Sequence, residues 1–264
     1  MVTAPPPDLL TERTHSHMEV IGRGFLARHL ASLATRHPQV TALAAGVSTT
    51  GEVEQSAYQR EAALLYDVID ACRRQGRTLL FFSTASAAMY GGSGGRGHED
   101  GPVRPQSRYG HHKLSLENVV RLSGVRHLTV RLSHVLGPDQ PAHQMLPTLV
   151  RAVRSGRVDV HRGACRDIID VADMVSDVDT LLRAGVSGQV VNVASGIAVP
   201  AEHIIDHLQA RLGGPLERRY LDRPSRYEVS LDKLFRLTSG AAGRKFPDDY
   251  YKKVIDNCLS CAAL

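Results

Sequence analysis

Five short segments, Met18–Ile21, Val40–Ala45, Leu79–Phe82, His127–Leu132 and Gln189–Val193, read as strands, with helix-forming sequence between them. Residues 55–74 and 108–122 read as amphipathic helices. So do 146–154, 170–184, 201–212 and about 248–259. A strand that returns to the same sheet through a helix must run parallel to the one before it. The pattern therefore predicts an open α/β fold, a parallel sheet with helices on both faces. In such sheets ligands bind beyond the C-terminal ends of the strands, so the segments that follow the strands are where chemistry is expected.

The first of these segments is Gly22-Arg23-Gly24-Phe25-Leu26-Ala27, between a strand and a helix. Glycine lets the backbone turn sharply and approach a pyrophosphate, and the helix N-terminus that follows favours an anion. Ala27 is small enough for close packing of helix on strand. Arg23 is a candidate phosphate contact. The third strand runs into Ser83-Thr84-Ala85-Ser86-Ala87-Ala88-Met89-Tyr90-Gly91, and Tyr109-Gly-His-His-Lys113 follows after a Gly-rich loop, 91–101. Residues four apart share a helix face, so the Lys113 ammonium can sit beside the Tyr109 phenol. A free phenol titrates near ~10; a nearby cation is expected to lower it toward the working range. With Ser86 to hydrogen-bond a substrate oxygen, the set makes a proton-transfer device for a carbonyl/alcohol pair. His111 and His112 are expected on a solvent or subunit face of the same helix. His98, Glu99 and Asp100 form a polar loop beside the site.

The 264 residues, 42% hydrophobic and 22% charged, suit one domain with a small appended lobe. Residues 1–17 read as a flexible tail and 18–264 as the folded unit. The lobe is drawn mainly from about 138–170 and 197–264. No apolar stretch is long enough to span a bilayer, and the Pro-rich start lacks the regions of a signal peptide, so a cytoplasmic location is expected. The net charge of +5 comes with scattered Arg and only 5% aromatic residues, which gives no basic stripe or stacking platform for nucleic acid. A positive balance also suits an anionic small molecule. The four Cys residues form no disulfide framework, and the single Cys258-x-x-Cys261 pair is too few ligands for zinc, so no metal is expected.

Taken together, these motifs resemble the extended short-chain dehydrogenases/reductases, the epimerase, dehydratase and ketoreductase enzymes of nucleotide sugars, from about Val20 to Tyr251. The resemblance implies a Rossmann-like doubly wound parallel sheet and NAD or NADP as cofactor. It assigns Ser86, Tyr109 and Lys113 to catalysis. It assigns Gly22, Arg23, Gly24, Phe25, Leu26, Ala44, Ala45, Gly46, Tyr109, Lys113, Leu132 and Ser133 to the cofactor. It places Ser86, Ala87 and His134 on the substrate, with Arg166 and Arg223 as candidate anion handles. Family members pair through two helices, here 55–74 and 108–122, so a homodimer is expected.

Three departures qualify this. Ile21 stands where the family has a further Gly and Ala27 where it has the last one, and His134 stands where it often has Asn. The third is a shortening: only residues 25–41 separate the glycine turn from the Ala44-Ala45-Gly46 strand end, where the family has two more strands. The acid expected about 20 residues after the glycine turn to bind ribose is absent, since Leu43-Ala44-Ala45 stands there. The sheet is therefore expected to have fewer strands. The leading functional expectation is a nicotinamide-dependent oxidoreductase or epimerase acting on a nucleotide sugar or secondary-metabolite intermediate. The alternatives are acid/base chemistry without a cofactor (dehydration, isomerisation or cyclisation) and non-catalytic dinucleotide sensing.

Overall fold

The structure, a computed structural model, describes residues 15–48, 51, 53–91, 96–240 and 245–261. The expected tail, apart from residues 15–17, and residues 92–95 of the Gly-rich loop lie outside the described residues. The chain runs β1 (Glu19–Ile21), α1 (Phe25–Leu30), β2 (Val40–Leu43), α2 (Gln55–Gln75), β3 (Thr78–Thr84), α3 (Ala87–Tyr90), α4 (Arg108–Leu122), β4 (His127–Leu132), β5 (His134–Leu136) and α5 (Met145–Arg154). It continues β6 (Arg157–His161), β7 (Cys165–Arg166), β8 (Ile168–Asp170), α6 (Val171–Arg183), β9 (Gln189–Val193), β10 (Val199–Pro200), α7 (Ala201–Leu212), β11 (Glu217–Leu221), α8 (Asp232–Leu237) and α9 (Tyr250–Cys261).

The five expected strands form one parallel sheet in the order β1-β2-β3-β4-β9. Side-chain alternation along β3 builds its two faces. Leu80 and Phe82 join Phe25 and Leu30 of α1 and Met174 and Val178 of α6. Leu79 and Phe81 join Leu65, Val68 and Ile69 of α2 and Leu116 and Val120 of α4. The fold is thus Rossmann-like, with helices on both faces and fewer strands, as the sequence implied.

The shortening leaves a mark on the chirality. The β1–α1–β2, β2–α2–β3 and β3–α4–β4 connections all step the same way across the sheet. The helices α2 and α4 lie on one face and α1 lies on the other. The α1 connection therefore has the opposite hand from the other two. Nearly all such crossovers are right-handed; with α2 and α4 right-handed, α1 is left-handed. A right-handed path through α1 would lead to the far side of β1, where the described residues place no strand. The sheet has lost its outer strands, and α1 has kept its place.

A second apolar cluster joins Leu136 and Ile168 to Leu146 and Val150 of α5, Ile204 and Leu208 of α7, and Val254 and Ile255 of α9. The short parallel pair β5–β8 follows directly on β4, and a second parallel pair, β6–β11, packs against α5 and α7. The sequence reading missed these strands because they are three to five residues long and β11 is largely charged and exposed. Among the described residues no helix is long and apolar enough to cross a membrane.

Candidate active site

A cleft of about 500 Å³ opens over the C-terminal ends of β2, β3 and β4. Its walls are the start of α1 (Gly24, Phe25, Leu26), the segment after β2 (Ala44–Ser48), the end of β3 with Ser86, the first turns of α4, and residues 132–136. The turn into α5 closes the far side with Gln140, His143 and Gln144, and Arg166 stands at the same edge.

Local sequence places the reactive groups. The Ser107 hydroxyl accepts from the Gly110 amide at 3.1 Å and so starts α4. This puts Tyr109 in the first turn and Lys113 one turn further along the same face. The Ser86 hydroxyl caps α3, accepting from the Ala88 amide at 3.3 Å. It also accepts from the Thr84 hydroxyl at 2.8 Å. A hydroxyl has two acceptor sites and one proton; with both acceptors used, the Ser86 proton is left to donate. Thr84 is in turn hydrogen-bonded to Tyr109, which makes a hydroxyl relay, Tyr109–Thr84–Ser86, along the cleft floor.

The Tyr109–Lys113 pair departs from expectation. Burial is the largest influence on the phenol and raises its pKa; the nearby Lys113 charge works against this without reversing it. A carboxylate that the sequence reading passed over adds to the rise. Glu61 of α2 accepts from Lys113 Nζ at 2.6 Å and from His112 Nε2 and the Val47 amide at 3.1 and 3.0 Å. Burial pushes the Glu61 carboxyl up, but the His112 hydrogen bond and the Lys113 ammonium outweigh this and hold it at about 2. His112 therefore faces inward rather than solvent. A signal for Glu61 existed: Tyr58, Glu61, Leu65, Val68, Ile69 and Cys72 form one buried stripe of α2, and a carboxylate inside an apolar stripe needs a partner.

His134 is half-buried. Burial, then the Arg166 charge, lowers its pKa to about 4, so it is a neutral imidazole near pH 7. Its Nδ1 bonds the Asp167 carbonyl at 3.2 Å, which leaves Nε2 as an acceptor. The polar loop expected beside the site does not line the cleft: Glu99 is buried and accepts from the Asn192 backbone amide of β9 at 2.7 Å, and Asp100 pairs with Lys233 of α8 at 2.9 Å.

Of the residues singled out from sequence, Ser86, Tyr109, Lys113, Gly24, Phe25, Leu26, Ala44, Ala45, Gly46, Leu132, Ser133, His134 and Arg166 line the cleft together. Gly22 lies just behind the wall. A Cβ there would stand 2.5 Å from the Ala44 carbonyl oxygen, and its φ is +135°. Gly22→Ala is expected to lose at least about 1–3 kcal/mol of stability from backbone strain, read as a lower urea midpoint. An unchanged midpoint would mean that this close approach does not occur. Arg23 is exposed at the β1 side, and Arg223 is exposed near His161, outside the cleft lining. Ala87 packs against the Met89–Tyr90 cluster. Among the described residues no cluster of His, Cys, Asp and Glu could hold a metal ion.

The cleft fits the nicotinamide and pyrophosphate portions of a dinucleotide, with the glycine turn, Ala44–Gly46 and Lys113 around it. On the adenosine side the sheet ends at β1, and among the described residues that portion has no further strand to lie against.

Comparison with known proteins gives the family and agrees with the fold. The sequence profile of the NAD dependent epimerase/dehydratase family matches residues 22–194. A curated relative, dTDP-6-deoxy-L-talose 4-dehydrogenase (NAD(P)(+)) of Kitasatospora kifunensis, is 26% identical over 205 residues. That match covers 71% of this chain and 64% of the relative, so the chain spans less than two thirds of the relative's length. A structure of RMD from Pseudomonas aeruginosa complexed with NADPH superposes with a TM-score of 0.71 at 20% identity, covering 92% of this chain and 98% of that one. The UDP-glucose 4-epimerase of Thermus thermophilus, in complex with NAD, gives 0.72 at 18% identity, covering 91% and 97%. At these identities the structural matches establish the fold, and the profile match establishes the family. The chain belongs to the NAD dependent epimerase/dehydratase family of extended short-chain dehydrogenases/reductases.

Proposed function

We propose that this chain is an NAD(P)-dependent oxidoreductase or epimerase acting on a ketone/alcohol carbon of a nucleotide-linked sugar or a similar secondary-metabolite intermediate. The observation that carries the reading is the convergence of Ser86, Thr84, Tyr109 and Lys113 on one cleft at the ends of β3 and β4. Ser86 donates its free proton to the substrate oxygen and orients it. Tyr109 gives or takes the proton at that oxygen, and Thr84 holds the two hydroxyls in register. Gly24, Phe25, Leu26, Ala44, Ala45, Gly46, Leu132, Ser133 and Lys113 would hold the dinucleotide, with Gly22 shaping the turn and Arg23 reaching a phosphate from the open side. When bound, the nicotinamide supplies or receives hydride. His134 and Arg166 meet the substrate from the opposite wall. The similarity to a dTDP-sugar dehydrogenase supports a nucleotide-linked sugar. Two copies pair through α2 and α4, on which Tyr66 and Leu122 stand exposed.

The test is calorimetric titration of the protein with NAD and NADP in both redox states. Saturable binding of one of them, followed by turnover of a nucleotide-linked ketose or hexose, is the expected result. No binding at millimolar dinucleotide overturns the redox reading. The loss of the strands beyond β1, together with the tie between Lys113 and Glu61, favours a second reading in that case: acid/base chemistry by Tyr109 and Ser86 without a nicotinamide. It predicts turnover that depends on Tyr109 with no dinucleotide present.

A further inference from the structure

We infer that Glu61 is a positioning residue that claims the Lys113 ammonium and so keeps Tyr109 in its phenol form, a hydrogen-bond and proton donor, in the free protein. The inference rests on the reading of Tyr109 as the proton-transfer group, but its geometry stands apart from any substrate.

The Glu61 side chain is 1% exposed and that of Lys113 is 7% exposed. Glu61 reaches the cleft wall because Gly46 leaves it room: a Cβ on Gly46 would stand 2.3 Å from Glu61 Oε1. The carboxylate receives three hydrogen bonds, from Lys113, His112 and the Val47 amide. Lys113 Nζ, held this way, also donates to the Phe82 carbonyl at 3.4 Å and lies 5.9 Å from the Tyr109 ring centre.

Tyr109 is faced from its own helix by Lys113, from α2 by Glu61 and Tyr58, and from β3 by Thr84. His112 packs edge-on to Tyr58 with ring centres 4.7 Å apart. Of the two formal charges near the phenol, one is +1 and one is −1, and they are paired with each other. A phenolate would therefore meet a neutral ion pair, not a free cation. Attraction from the ammonium is offset by repulsion from the carboxylate, and burial disfavours the anion. The family-like Tyr–Lys pair carries a third member here, and that member adds to burial in favouring the phenol.

The experiment is a pH titration of tyrosinate absorbance, with ring-carbon NMR of isotope-labelled tyrosine, on the full chain. With 8 Tyr and no Trp the absorbance signal is tyrosine's own, and Tyr109→Phe identifies the Tyr109 signal. In the unmodified protein Tyr109 is expected to remain a phenol through the neutral range and to titrate above the ordinary ~10. A phenolate at neutral pH would overturn the inference, and this arm needs no Glu61 variant. In Glu61→Gln, which keeps hydrogen-bonding capacity but removes the charge, the Tyr109 midpoint is expected to fall by about one pH unit or more. An unchanged or higher midpoint in a folded Glu61→Gln protein would also overturn it. A role in packing alone would alter stability and leave the midpoint in place. If Tyr109 proves dispensable for turnover, the proposed function fails while the titration still reports on Glu61.

Discussion

Tyr109→Phe is expected to lower kcat by about 10²–10⁴-fold, the range for loss of a positioned acid/base group. The change removes one oxygen from a half-buried ring and leaves the ring's packing in place. The relay loses its first member, since Thr84 keeps its bond to Ser86 but no longer has a phenol beside it. Ser86 can still orient the substrate oxygen, so KM is expected to change little. Dinucleotide affinity measured by calorimetry is expected to stay within a few-fold, because the walls formed by the glycine turn and Ala44–Gly46 are untouched. A loss in kcat at constant KM and constant cofactor affinity is the signature of an interaction made in the transition state. A variant with near-normal kcat would remove Tyr109 from the mechanism. It would point to Ser86 or a water as the proton carrier.

Glu117→Ala is expected to destabilise the fold by about 3–5 kcal/mol, the cost of leaving one charge of a buried pair alone. Glu117 lies two turns beyond Tyr109 on α4 and meets Arg131 of β4 in a two-pronged contact, 2.9 Å from Nε and 2.7 Å from an Nη atom. The side chains are 5% and 4% exposed. Arg131 also donates to the Tyr90 hydroxyl at 2.9 Å, and Tyr90 donates to Asn192 at 2.8 Å. This network clamps the catalytic helix to the strand whose end forms the cleft wall. Burial disfavours the guanidinium charge, and in the intact protein Glu117 outweighs this; in the variant that carboxylate is gone, and only the guanidinium's intrinsic basicity keeps Arg131 charged, so it cannot escape by deprotonating. Thermal unfolding should shift down by roughly 6–20 °C for a chain of this size. The double change Glu117→Leu with Arg131→Met removes both charges and is expected to recover most of that loss. If the single variant melts like the unmodified protein, the pair is not buried as described.

The main sheet and the cleft's near wall were legible in the sequence for physical reasons. A strand buried on both faces is most readable when it is continuously apolar, and Leu79–Phe82 is; His127–Leu132 carries His127, Thr129 and Arg131 among its apolar residues. Their burial in β3 and β4 is almost complete. Turns that approach a ligand need glycine, and Gly22 and Gly46 occupy those points. Tyr109 and Lys113 follow from helix spacing and Ser86 from its place after the third strand, with the family resemblance giving them their role. Arg223 did not follow in the same way, because nothing in a local window says which exposed Arg faces a cleft. The far wall, with Gln140, His143 and Gln144, was hidden for the same reason. It comes from a turn with no periodic pattern.

The sequence by itself determined the parallel α/β architecture, the shortening after the glycine turn, and the helix spacing that sets Lys113 beside Tyr109. These depend on side-chain period, backbone freedom and chain length, which are local properties. Only the tertiary structure decided the charge on that pair. Glu61 is 52 residues from Lys113, on a different helix, and it meets Lys113 only because α2 and α4 pack on the same face of the sheet. Electrostatic effects depend on distance through space and on burial, not on separation along the chain. The opposite hand of the α1 connection has the same origin: it required knowing which face each helix covers.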